Sequence, residues 1–189
     1  MSIHSALLWV MGFASLTASA IADAQPRTYT SARYNYRITV PEGWHISVPK
    51  SGVATFFNYE LKEAGPQGLF PEDGAEIYLI PYGAVETVAS SKTLRDWIQH
   101  NLTADHANVE IREIPASNRG SSGPQNVIEV TADFQRDSQD YEPQREVDYY
   151  FTLDKQMFRI MLLYWNDNPQ GPFLQSICDS MLRSIRSAR

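Results

Sequence analysis

The C-terminal third of the chain constrains the fold more than any other segment. Alternating apolar residues at Val147, Tyr149, Phe151 and Leu153 have the period of a strand. A turn at 154–156 follows, and residues 157–165 then form a second, largely apolar strand. Because this second strand has few polar positions, the pattern predicts a hairpin at the centre of a sheet that is covered on both faces.

The last element is predicted to be an amphipathic helix. Its apolar residues repeat at helical spacing, and such a stripe packs on a sheet. The proline- and glycine-containing stretch at 166–172 separates this helix from the preceding strand. The stripe consists of Phe173, Leu174, Ile177, Cys178, Met181, Leu182 and Ile185.

Further strands and one helix are predicted upstream. A strand over Tyr34–Val40 ends at Pro41-Glu42-Gly43, and Trp44 after this turn is interpreted as a plug of the core. Leu94, Trp97, Ile98 and Leu102 indicate a helix with Ser90, Ser91 or Thr93 as N-cap. Other strands are predicted at 44–48, 53–61, 75–82, around Val109 and Ile111, and at 128–134, where one face is apolar and the other polar. The order predicts an α+β fold with a mostly antiparallel β-sheet flanked by helices.

The N-terminus resembles a secretory signal peptide. An apolar run from Ala6 to about Leu16 precedes small residues, and Ala22-Asp23-Ala24 fits the cleavage rule. We expect a signal peptide over 1–24 and a single domain over 25–189, in the periplasm or secreted. Cleavage after Ala20, or retention as a membrane anchor, is the alternative. The apolar run is shorter than the ~20 residues that cross a bilayer, which disfavours the anchor. No membrane span is expected after cleavage.

The arrangement of elements resembles the Mog1/PsbP-like α/β/α sandwich family, which includes PsbP, Mog1 and the DcrB-like envelope proteins. The resemblance covers most of the mature chain and rests on PEGW after an early strand, the mid-chain helix, YYFTLDKQMFRIMLLYW and the terminal MLRSIR. It implies a central antiparallel sheet with helices on both faces. It also implies docking to larger partners and no enzyme activity.

Several residues are candidates for a metal-binding or catalytic site. His100, Asp105 and His106 lack the i, i+4 spacing of two metal ligands on one helix, and they are interpreted as solvated capping residues. Gly120–Pro124 is not a nucleophile elbow, and His45 has no motif that supplies a serine and an acid. Cys178, the only cysteine, lies in an apolar stripe and is interpreted as a buried hydrophobe. An acidic surface loop is predicted from Asp137, Asp140, Glu142, Glu146 and Asp148, which lack calcium-loop spacing.

These patterns predict an exported, non-catalytic envelope accessory or protein-interaction module, with no catalytic, cofactor-binding or metal-binding residue and no cofactor. An envelope protein partner is expected, and Phe56, Phe57, Tyr59 and Phe70 are candidates for its docking surface. Nucleic acid is excluded, since a net charge of −6 without a basic cluster lacks the required electrostatic footprint. The alternative is a periplasmic small-ligand or cation-binding protein with its site between the sheet and the loops at 62–74 and 135–146; a hydrolase without a recognised motif is a third hypothesis.

Overall fold

A computed structural model shows ten strands and two helices in the part of the chain that it describes. The strands are β1 Arg27–Ser31, β2 Tyr36–Val40, β3 His45–Ser47, β4 Ala54–Phe57, β5 Ala75–Ala84, β6 His106–Ile114, β7 Gln125–Phe134, β8 Gln144–Leu153, β9 Gln156–Trp165 and β10 Arg186–Ser187. The helices are α1 Leu94–Asn101 and α2 Gly171–Ser184. The described residues are 26–49, 52–60, 71–85, 93–101, 106–115, 122–134 and 144–189. Within these ranges, neither helix has the length and apolar character needed to cross a membrane.

A seven-stranded antiparallel sheet forms the centre of the molecule, with strand order β3-β4-β5-β9-β8-β7-β6. The predicted hairpin is β8–β9, and β9 is the middle strand. Asp154 and Lys155 connect the two strands, and both have positive φ, as a two-residue hairpin turn requires. The sequence prediction of a central hairpin is therefore confirmed.

The two faces of this sheet carry different layers. On one face, α2 packs on Tyr149, Phe151, Ile160 and their neighbours in the main hydrophobic core. On the other face, α1 contributes Ile98 to a smaller core that includes Ile128, Val130, Tyr150 and Met157. Helices thus lie on both faces of an antiparallel sheet, and the predicted α+β class is confirmed.

The first predicted strand does not belong to the central sheet. It is β2, which pairs with β1 on one side and β10 on the other in a separate three-stranded sheet. Its inward residues Tyr36, Ile38 and Val40 are fully buried in the main core. Because alternation shows only that a strand is half-buried, it could not specify which sheet the strand joins.

The turn after β2 has the structural role that was predicted for it. Gly43 has a φ of 75°, a left-handed conformation that glycine adopts without strain. Trp44 is 5% exposed and packs in the main core, and its carbonyl accepts a hydrogen bond of 2.6 Å from Arg27 Nη2. The interpretation of Trp44 as a core plug is confirmed.

The ends of both helices follow from local sequence. Thr93 caps α1: its hydroxyl oxygen accepts a hydrogen bond from Asp96 N at 3.2 Å and donates one to the Asp96 carboxylate at 2.7 Å. The helix α2 begins with a proline in its first turn and ends at Ser184, one residue before the predicted Ile185. Phe173 was predicted to belong to its packing stripe, but it is 62% exposed, so this part of the prediction is wrong. The predicted Leu102 lies outside the described residues.

Candidate functional site

The most strongly charged part of the interior is a group of four side chains on the α1 face of the central sheet. Arg159 Nε lies 2.7 Å from Asp148 Oδ1, and Arg159 Nη2 lies 2.7 Å from Asp148 Oδ2 and 2.6 Å from Glu146 Oε1. His106 Nε2 lies 3.2 Å from the same Glu146 oxygen. We call Glu146, Asp148, Arg159 and His106 the ionic cluster.

Strand alternation positions these groups. Glu146 and Asp148 lie on β8 two residues apart, so both point to the face opposite Val147 and Tyr149. Arg159 is the one charged residue of β9 and lies across from Tyr150, over whose ring its guanidinium carbon sits 5.4 Å from the centroid. An arginine in an otherwise apolar central strand was the sequence signal for this cluster, and the sequence reasoning missed it.

Burial governs the electrostatics of the cluster. Burial raises the pKa of Asp148, whose side chain is fully inaccessible, and the positive charge of Arg159 opposes this rise. For Arg159, burial acts to lower the pKa, but the charge of Asp148 and its hydrogen bonds raise it above the usual value. Two carboxylates that share one bidentate guanidinium in this way form a structural ion pair of β8 with β9.

The prediction of an acidic surface loop is wrong for two of its five residues. Glu146 and Asp148 lie in β8, with side chains 6% and 0% exposed. The reason is the guanidinium of Arg159 on the neighbouring strand, which allows two carboxylates to be buried. Asp137, Asp140 and Glu142 lie outside the described residues.

The histidines also differ from the prediction. His100 is exposed in the last turn of α1, as expected for a capping residue. His106 instead begins β6 with a side chain that is 11% exposed and paired with Glu146, so the interpretation of His106 as a solvated cap is wrong. Asp105 lies outside the described residues. Among the residues that the structure describes, no group of three or more histidine, cysteine, aspartate or glutamate side chains could hold a metal ion.

A second polar group occupies the α2 face of β7, where a solvated face was predicted. Glu129 is 4% exposed and pairs with Arg112 Nη2 at 2.5 Å. Gln175 of α2 also approaches Glu129, and the Tyr149 hydroxyl donates to Asp179 of the same helix. The polar face of β7 is therefore partly covered, which the alternation of the strand could not reveal.

The other residues considered as catalytic candidates do not form a common site in the structure. His45 stacks on Phe57 and lies 3.7 Å from Glu60, with its side chain 44% exposed. Ser122, from the glycine-rich loop, accepts a hydrogen bond from Ser187 N through its carbonyl. Cys178 is fully buried in α2, where burial raises the pKa of its thiol, and its interpretation as a buried hydrophobe is confirmed.

The predicted aromatic docking surface is wrong. Phe56, Phe57 and Tyr59 are 0%, 5% and 7% exposed, because Phe56 packs in the main core and the other two pack with Leu163 and Trp165. The Tyr59 hydroxyl donates a hydrogen bond to Glu76. The pKa of Tyr59 is raised, mainly by burial and secondly by the Glu76 carboxylate. Phe70 lies outside the described residues.

Several open cavities lie near the surface of the described residues, including two at the ends of helices and loops. One of about 550 Å³ lies between the start of α1 and the ends of β6 and β7, lined by Leu94, Glu113 and Ile128 among others. The second, of about 460 Å³, is lined by Glu72, Asp73 and residues 167–170. Most of the loops at 62–74 and 135–146, where a ligand site was predicted, lies outside the described residues.

The edge strand β6 is the most accessible regular element of the central sheet. Within the described residues it pairs only with β7, and six of its nine residues are exposed, Val109 by 38%. By contrast, the opposite edge strand β3 has only three residues. An edge strand presents unpaired backbone donors and acceptors to which another chain can bind.

Three side-chain contacts fix β6 to the strands behind it. His106 reaches Glu146, Asn108 Nδ2 donates to Asp133 at 2.6 Å, and Arg112 pairs with Glu129. The hydrogen bond from Asn108, together with Arg145, lowers the pKa of Asp133 and keeps it ionised. Asn108 has a φ of 51° at an irregularity in the pairing with β7, and such bulges limit unspecific edge pairing.

No protein-family model matches the sequence, and no curated protein matches it either. Among solved structures, the chain is similar to a protein of Bacteroides thetaiotaomicron VPI-5482, with 10% sequence identity, a TM-score of 0.49 and 87% of this chain covered. This chain spans about half of that protein, 49% of its length. It is also similar to the cyanobacterial PsbP (CyanoP) of Synechocystis sp. PCC 6803, with 17% identity, a TM-score of 0.43 and coverage of 90% of this chain and 97% of that one. Both likenesses concern the arrangement of helices and strands, and the resemblance to Mog1 and DcrB-like proteins stays a prediction.

Proposed function

We propose that this protein is an exported, non-catalytic interaction module of the cell envelope that binds a larger protein partner through β6. The observation that carries the proposal is the exposed edge of β6, held in place by His106, Asn108 and Arg112. A strand that is already fixed loses little conformational freedom when a partner binds. The partner segment that fits such an edge is extended and adds one strand to the sheet.

The buried carboxylates are held in ion pairs, and this favours a binding role over a catalytic one. Asp148 and Glu146 are both engaged by Arg159, and Glu129 is engaged by Arg112. A general acid or base must be able to reach a substrate with its proton-carrying atom. Carboxylates in these ion pairs instead contribute to the cohesion of the sheet.

The location is part of the same proposal. An apolar run followed by Ala22-Asp23-Ala24 supports export and cleavage after residue 24, with the domain acting in the periplasm or outside the cell. The chain has a single cysteine, so the fold does not depend on an intramolecular disulfide in that compartment.

Replacing Val109 by lysine tests the proposed docking edge. We expect Val109→Lys to reduce capture of the envelope partner at least about tenfold, because a lysine on an edge strand disfavours the addition of another strand. The measurement is affinity capture of the tagged full chain from its native envelope, with the stoichiometry of bound protein determined by mass spectrometry.

Phe173→Lys is the matched control, since Phe173 is an apolar residue of α2 that is 62% exposed. Both variants add one positive charge at an exposed site and are expected to change the free energy of unfolding by about 0.5 kcal/mol or less. Equal capture by wild type and Val109→Lys would refute the role of β6. A larger loss of partner capture for Phe173→Lys would indicate that the docking surface lies on α2.

A further inference from the structure

Arginine is unevenly distributed over the molecule. Residues 26–40 and 183–189 contain six arginines and no acidic residue. The whole chain has 16 basic and 22 acidic residues, and without these six arginines 10 basic residues remain against 22 acidic ones, a net charge of −12. The two segments form the three-stranded sheet and the end of α2, so one layer of an acidic protein is basic, and the expectation that the chain lacks a basic cluster is wrong.

The outward face of the three-stranded sheet carries part of this charge. Because Tyr36, Ile38 and Val40 point inward, Arg37 and Thr39 of β2 point outward. Arg186 of β10 is the direct cross-strand neighbour of Arg37 and shares its face. We call Thr28, Thr30, Arg37, Thr39 and Arg186 the basic face, and Arg183 at the end of α2, whose carbonyl oxygen accepts a hydrogen bond from Arg186, adjoins it.

The arginines of the basic face lack the carboxylate partners that other arginines have. Arg112, Arg145 and Arg159 of the central sheet each form an ion pair. Within the described part of the chain, Arg37 and Arg183 are exposed and have no ion pair, and Arg186 donates only to the carbonyls of Arg183 and Ile185. Like charges directly opposite each other on two strands destabilise a sheet. The pair of Arg37 and Arg186 therefore lowers the stability of the three-stranded sheet.

We propose that the basic face binds the surface of an anionic phospholipid membrane. Guanidinium groups and threonine hydroxyls are donors that match phosphate oxygens, and basic residues near an anionic bilayer each strengthen binding. The described outward positions of the sheet are threonine and arginine, whereas the centre of a protein interface is typically aromatic or aliphatic. This composition favours a lipid headgroup layer over a protein as the occupant.

The position of the face in the chain supports the same occupant. Ten residues, 17–26, separate the apolar run that ends near Leu16 from β1. Even a fully extended chain of that length reaches at most about 35 Å. The three-stranded layer that carries the basic face is therefore the part of the folded domain that follows the apolar run most closely along the chain.

Flotation with lipid vesicles tests the proposal. The full chain is expressed, purified and mixed with vesicles of phosphatidylcholine alone or of equimolar phosphatidylcholine and phosphatidylglycerol, at low and at high salt. We expect stronger flotation with phosphatidylglycerol, loss of this difference at high salt, and about 20-fold weaker binding for Arg37→Glu. This variant places a carboxylate opposite Arg186 and is expected to remain folded.

Arg95→Glu is the matched control, because Arg95 is an exposed residue of α1 and the substitution changes the net charge by the same amount. It should retain binding to phosphatidylglycerol vesicles. Equal flotation of Arg37→Glu and Arg95→Glu would overturn the proposal, and so would equal flotation of wild type with both lipid compositions. Retention on immobilised polyglutamate without vesicle binding, sensitive to Arg37→Glu, would also overturn it and would identify an acidic protein as the partner.

Discussion

Replacing Arg159 by alanine is expected to lower the free energy of unfolding by about 3–5 kcal/mol. The substitution leaves the inaccessible Asp148 carboxylate and the nearly inaccessible Glu146 without the guanidinium that engages both. It also removes the cation over the ring of Tyr150. The loss should appear as a lower urea midpoint with an unchanged slope.

Arg95→Ala is the control for this prediction, since it removes an exposed arginine and is expected to cost about 0.5 kcal/mol or less. The double variant Arg159→Ala/Asp148→Leu should recover part of the loss, because it removes the buried charge together with its partner. If Arg159→Ala costs no more than Arg95→Ala, the ionic cluster does not contribute to stability as described.

Replacing Phe158 by alanine is expected to cost a similar amount, about 3–5 kcal/mol. Phe158 is 1% exposed, stacks on Phe151 with centroids 5.6 Å apart, and meets the edge of Tyr36 at 5.8 Å. It therefore joins the three-stranded sheet to the central sheet, and its removal leaves a cavity between them. Urea unfolding followed by both far-UV and near-UV circular dichroism measures the loss.

Phe173→Ala is the matched control, because it deletes the same side chain at a site that is 62% exposed. Its expected effect is within about 0.5 kcal/mol. A small effect of Phe158→Ala, comparable with that of Phe173→Ala, would contradict the description of Phe158 as the contact between the two sheets.

The elements near the C-terminus could be predicted because their patterns are local. The alternation in β8 and β9 and the turn between them specify a hairpin, and the apolar stripe of α2 specifies the face that packs. The plug at Trp44 followed from its position after a glycine turn. In each case, residues close in sequence determine the structure.

The polar contacts between strands could not be predicted in the same way. Glu146 and Asp148 were assigned to an acidic loop because their partner, Arg159, lies beyond the hairpin turn on the next strand. The sequence pattern does not show which residues of the two strands contact each other. The edge position of β6 depends on the strand order, which alternation leaves open. The burial of Phe56 depends on Tyr29, and that of Phe57 on Leu163 and Trp165, none of which is a neighbour in sequence.

Photo-crosslinking from β6 tests the central claim, that the module binds a protein partner through this edge. A photoreactive phenylalanine derivative is placed at Val109 or, as control, at Phe173, and cells that produce the full chain are irradiated. We predict one dominant adduct with an envelope protein from position 109 and none from position 173. The absence of any adduct from 109, or the same adduct from both positions, would contradict the proposed docking edge.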